Sequence, residues 1–318
     1  MKWIFVSVGI LPFLISCRET KTAEAPPDWK IAYNVRENPD ADDYDVYVMN
    51  FDGSGKKNIT NHPDVAWVYY AWKDKLYFVS DRDTCHRCYF LYEMDAEGNN
   101  VRKITSLQVE NSWMGSRLNG KEMVVTGRTD DGLRHQLFLI DTHTGDFQQL
   151  THDTAAMHRD PVFTPGGHHI VYAYQKNRRD TTQHEELWTM ESDGKHPRQL
   201  TFYPPRDTSA GRHAYHAGPP RWNPGGGYFS YQSRQKGKYS LFAVTPDGKR
   251  RFQLTDLPQN EGWHDWSPDG RWLALELFDD AQTEIDIYLM DWETKALKRL
   301  TDSEKIEQAP VFVEGVGK

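Results

Sequence analysis

The chain is written in short apolar runs of strand length, each closed by a turn. Trp272-Leu273-Ala274-Leu275 follows Pro268-Asp269-Gly270, where Pro presets φ and Gly supplies a positive φ. Ile285 to Met290 forms the next run, and Leu300-Thr301 closes the last. Together with Trp266-Ser267 ahead of the turn, these runs predict four short strands joined by turns.

The rest of the chain repeats that unit. Its terminal pair recurs as Ile59-Thr60, Ile104-Thr105, Leu150-Thr151, Leu200-Thr201 and Leu254-Thr255, with successive threonines 45, 46, 50, 54 and 46 residues apart through Thr301. The third run recurs as Asp45-Val46-Tyr47-Val48-Met49, Leu91-Tyr92-Glu93-Met94-Asp95, Leu137-Phe138-Leu139-Ile140-Asp141, Leu187-Trp188-Thr189-Met190 and Leu241-Phe242-Ala243-Val244. The Pro-x-Gly turn recurs at Pro165 and Pro224. Six four-stranded units predict an all-β fold, a six-bladed β-propeller over residues 29–318. The first unit opens at Trp29-Lys30-Ile31-Ala32-Tyr33, which matches a second strand. The chain closes on Ala309-Pro310-Val311-Phe312-Val313, which matches a first. The C-terminal strand is therefore expected to complete blade one and remove an open sheet edge.

These repeats resemble the TolB-like propeller family and its WD-like repeats. The residues that carry the resemblance are Trp266-Ser267-Pro268-Asp269-Gly270, Ile287-Tyr288-Leu289-Met290-Asp291 and Arg299-Leu300-Thr301, with their copies. The resemblance covers about 290 residues and implies a periplasmic binding scaffold.

Ahead of the repeats, Met1-Lys2 and the apolar run Trp3 to Ser16 read as a secretory signal over residues 1–16, too short to span a membrane. Leu14-Ile15-Ser16-Cys17 resembles the bacterial lipoprotein signal, which implies acylation of Cys17 and a polar tether over residues 17–28. Arg18 after that Cys leans towards the periplasmic face of the outer membrane. The net charge of −8 argues against a nucleic-acid partner. Cys85 and Cys88 are expected to form a local disulfide, since a structural zinc site would want four ligands.

Function is expected where the fourth-to-first and second-to-third strand connections share one face, the channel mouth. Asn111, His158, Glu261 and Glu307 precede first strands there, with His216 and His264 close by. Trp113 and Trp263 are the aromatic candidates. Arg212, His213 and Tyr215 lie in an enlarged loop, which stretches the Thr201-to-Trp222 spacing to 21 residues against 11 or 12 elsewhere. Arg178-Arg179-Asp180 shares that face as a solvated charge cluster. No ligand spacing fixes a metal set, so neither metal nor cofactor is expected. No Gly-x-Ser-x-Gly occurs. The favoured reading is a monomeric, lipid-anchored scaffold that binds an envelope protein or glycan. The alternative is a metal-dependent lyase, because the related oligogalacturonate lyases place His ligands at a propeller mouth.

Overall fold

A computed structural model describes residues 28–38, 40, 43–129, 132–203 and 214–315. Cys17, Arg212 and His213, named above, lie outside these residues. The described residues form 24 strands and no helix, numbered in chain order from β1 (Trp29–Asn38) to β24 (Glu307–Glu314). They make six antiparallel sheets of four strands.

The innermost strands of blades two to six are β4 (Ala66–Trp72), β8 (Gly115–Arg117), β12 (Met157–Phe163), β16 (Arg221–Asn223) and β20 (Asn260–Trp266). In blade one that place is taken by β24, which pairs antiparallel with β1, Trp29 opposite Glu314 and Ile31 opposite Phe312. The tail thus closes a six-bladed β-propeller.

The core lies between blades. Val171, Ala173 and Leu187 of blade four pack on Phe229, Tyr231 and Val244 of blade five. Leu273, Leu275 and Met290 of blade six meet Leu241 and Ala243 of blade five. Because both faces of a sheet are covered, the middle strands read as continuous apolar runs. In Leu76-Tyr77-Phe78-Val79 every residue is buried.

The Leu-Thr pair that marks each repeat has a specific task. The hydroxyl oxygens of Thr60, Thr151, Thr201 and Thr301 accept the backbone N–H of Val46, Leu137, Leu187 and Ile287 at 2.8–2.9 Å, always 14 residues back. The same hydroxyls donate to Asp45, Gln136, Glu186 and Asp286, the residues just before those N–H groups. In blade five the Thr255 hydroxyl instead donates to Glu261 of the next blade. Each threonine pins a short, weakly paired outer strand to its neighbour and satisfies groups that would otherwise be costly to bury. Blade two departs from this pattern: Thr105 donates to the Gly145 carbonyl at 2.7 Å.

Candidate functional site

Irregular inner strands set the geometry of the mouth. Register shifts fall between Ala32 and Asn34, Val68 and Tyr70, Arg159 and Val162, and Glu261 and His264, all where a first strand pairs with its second. Asp160 and Ala309 sit at φ of 51° and 55° at these bulges. A bulge bends the strand and re-aims the side chains on either side of it.

The residues expected at the mouth therefore separate. His158 is buried against the rings of Tyr172 and Tyr174, at centroid distances of 5.7 and 5.1 Å. Burial pushes its imidazole down to about 4. His264 is fully buried with Nε2 2.6 Å from the Ser230 hydroxyl, and burial pushes it down to about 3. Glu261 is buried, receiving the Thr255 hydroxyl and, at 2.9 Å, the Leu257 N–H. Glu307 is buried too, and burial raises its carboxyl. Asn111 accepts the Tyr69 hydroxyl and lines a mouth cavity. Cys85 and Cys88 are disulfide-bonded with Cα atoms 5.2 Å apart, beside the same cavity.

Trp113 and Trp263 meet on the propeller axis. Their ring centroids are 6.3 Å apart, and Tyr69 lies 5.4 and 6.4 Å from them. Blades three and six face each other across the ring, so this contact fills the axis at that level. Below it Arg221 stacks on Trp113 at 4.3 Å and bonds Asp265 at 2.6 Å. Asp265 in turn accepts the Phe312 N–H at 3.0 Å, tying blade six to the closing strand.

Above the aromatics the mouth is polar and ionic. A cavity of about 480 Å³ opens between blades two and three, lined by Arg87, Arg128, Arg134, Arg159 and His135 around the single carboxylate of Glu110. Glu110 is buried and takes both its oxygens to Arg134, at 3.0 and 2.6 Å, with Arg128 at 3.2 Å. Beside it, Glu185 stands 3.6 Å from Arg159 and 3.3 Å from His216. Burial alone would raise Glu185, but Arg159 and His216 outweigh it and hold the carboxyl at about 2. Tyr215 packs 5.5 Å from His184 and 5.6 Å from Tyr203.

A second mouth cavity, of about 220 Å³, is lined by Trp263, Gln308, Gln232 and Glu276. Burial raises Glu276 to about 7, although it accepts the Ala309 and Trp263 N–H groups at 2.6 and 3.1 Å. Gly262 permits this, since a Cβ there would meet the Glu276 carboxylate.

Glu110, Arg134, Arg159 and Glu185 are absent from the mouth residues expected above. For Arg134 one signal was present: the second-to-third strand connections of blades two, three and four each carry two arginines, Arg82 and Arg87, Arg128 and Arg134, and Arg178 and Arg179. Among the described residues no group of three or more His, Cys, Asp or Glu side chains is placed to hold a metal ion.

Fold and site together define a six-bladed propeller with a filled axis and a charged, cavity-lined mouth. The TolB beta propeller domain model matches residues 26–210, more than half of the chain, and the chain belongs to that family. Among solved structures, TolB from Acinetobacter baumannii superposes with a TM-score of 0.67 at 18% identity, over 89% of this chain and 66% of that one. A putative TolB from Agrobacterium tumefaciens gives 0.61 at 15% identity, over 86% and 88%. An oligogalacturonate lyase in complex with manganese gives 0.54 at 16% identity, over 80% and 70%. The Tol-Pal system protein TolB of Francisella tularensis is 31% identical over 82 residues, which is 26% of this chain and 19% of that protein. The match thus spans about a fifth of the curated relative's length.

Proposed function

We propose that this chain is a lipid-anchored propeller of the bacterial cell envelope that holds a protein partner on its mouth face. The observation that carries the reading is the pair of polar cavities opening on one side of a closed ring, over an axis filled by Tyr69, Trp113 and Trp263. A rigid scaffold with functional groups on its loops is a general design for recognition. Family membership and the Tol-Pal name of the curated relative support an envelope setting. The signal at residues 1–16 and the acylated Cys17 would supply the anchor.

Site-specific photocrosslinking in cells tests this. A crosslinker at Thr154, in an exposed mouth-face loop, should yield a discrete protein adduct. One at Asp247, in a turn on the opposite face, should not. Adducts from Asp247 alone, or from neither position, would sink the reading.

The lyase alternative needs histidines converging on a shared ligand. His158 lies against Tyr172 and Tyr174, whereas His264 bonds Ser230 in another blade, so the geometry does not favour it.

A further inference from the structure

The mouth carries charge opposite in sign to the chain as a whole. The protein has a net charge of −8, yet the cavity between blades two and three presents four arginines to one carboxylate. Behind them stand three more carboxylates, Glu185 at 3.6 Å from Arg159, Asp81 at 3.8 Å from His86 and the buried Asp160 beside Arg159, so the cationic excess comes from the arginines of the next hollow. A neighbouring cavity of about 480 Å³, between blades three and four, is lined by Arg178, Arg179 and Asn177 with Leu133, the residue next to Arg134. The two hollows form one basic stripe along consecutive second-to-third strand connections.

We propose that this stripe is the docking track for an acidic, extended peptide segment of the partner, whose carboxylates seat among Arg87, Arg134, Arg159 and Arg178. This deepens the partner-binding reading and rests on it.

Three observations select a peptide carboxylate. Guanidinium forks match carboxylates in bidentate geometry, and Glu110 already shows that geometry with Arg134 in this cavity. Arg87, Arg134 and Arg178 stand on the second-to-third strand connections of three consecutive blades, so a segment lying across those blades would meet each in turn. A sugar acid would want an exposed aromatic face beneath its ring, whereas Tyr89, the aromatic that lines the cavity, is buried.

Titration calorimetry of the full chain with hexaglutamate, hexaglutamine and tetragalacturonate tests the assignment. Hexaglutamate should bind saturably and weaken as salt rises, since rim charges are screened. Hexaglutamine should not bind. Arg159→Gln should weaken hexaglutamate about tenfold or more, as expected for loss of a charge-assisted pair. Removing Arg159 also takes one of its partners from Glu185, so Arg178→Gln is the second variant. The Arg178 side chain closes no ion pair among the described residues, and this change should lower affinity with an unaltered melting temperature. No saturable hexaglutamate binding, affinity indifferent to both variants, or tighter tetragalacturonate binding that the same variants abolish would each overturn the proposal. A mouth-face protein adduct from Thr154 alongside any of these results would leave the partner-binding reading standing and remove only the acidic segment.

Discussion

At the scale of single residues, the buried histidines His135, His158 and His264 are packing groups whose charged form burial disfavours, with a measurable signature. His158 titrates at about 4 when folded, against 6.5 for an ordinary imidazole, because burial disfavours its charged form. Its contribution to stability is complete above pH 6.5 and is lost as the pH falls through about 4. His135, also at about 4, and His264, at about 3, act in the same direction. Glu186 and Glu276, raised to about 7, act oppositely: they take up protons earlier when folded, so stability declines as pH rises from 4.5 to 7. His158→Phe should therefore flatten the acid limb of urea-unfolding stability between pH 6.5 and 4 by one proton, about 1.4 kcal/mol per pH unit. A slope equal to the wild type's would place the imidazole in water. The residue type at 158 was legible, but its burial was not. It depends on a bulge at Asp160, whose positive φ belongs to a residue with a Cβ and leaves no mark in the hydropathy pattern.

At the scale of elements, the repeat was readable because five of the six blades use the same threonine N–H pin and the exception, blade two, keeps its Ile-Thr pair. Outer strands such as Lys57–Asn58 and Arg198–Gln199 are two residues long and rely on the threonine pin, so the Leu-Thr pair recurs even where the strand itself leaves little trace. Closure was readable from the ends of the chain for the same reason, since a missing first strand and a surplus one must find each other. Deleting residues 306–318 removes β24, strips Asp265 and Glu276 of the Phe312 and Ala309 N–H groups, and uncovers Ile31 and Tyr33. The truncated chain should lose cooperative thermal unfolding in circular dichroism. A melting curve superimposable on that of the full chain would show the ring does not depend on its tail. Inner-strand register was the illegible part. Alternation has a period of two, and a bulge shifts every later side chain to the other face. The expected mouth column thus turned into the blades at His158, Glu261 and Glu307, while the adjacent Arg159 and Gln308 line cavities.

At the scale of the whole molecule, an acidic body with a basic mouth would orient approaching partners before contact, an effect that fades with ionic strength. The proposed anchor fixes where such encounters happen. Cys17→Ser should move the protein from the membrane pellet to the soluble periplasmic fraction and abolish labelling by palmitate; retention in the pellet with labelling intact would place the lipid elsewhere. The meeting of Trp113 with Trp263 across the ring has a consequence of its own. With the bore stoppered midway, no strand can be threaded from one side to the other. A partner held at the proposed mouth site would sit in a cup and not a conduit and would leave by the rim it entered.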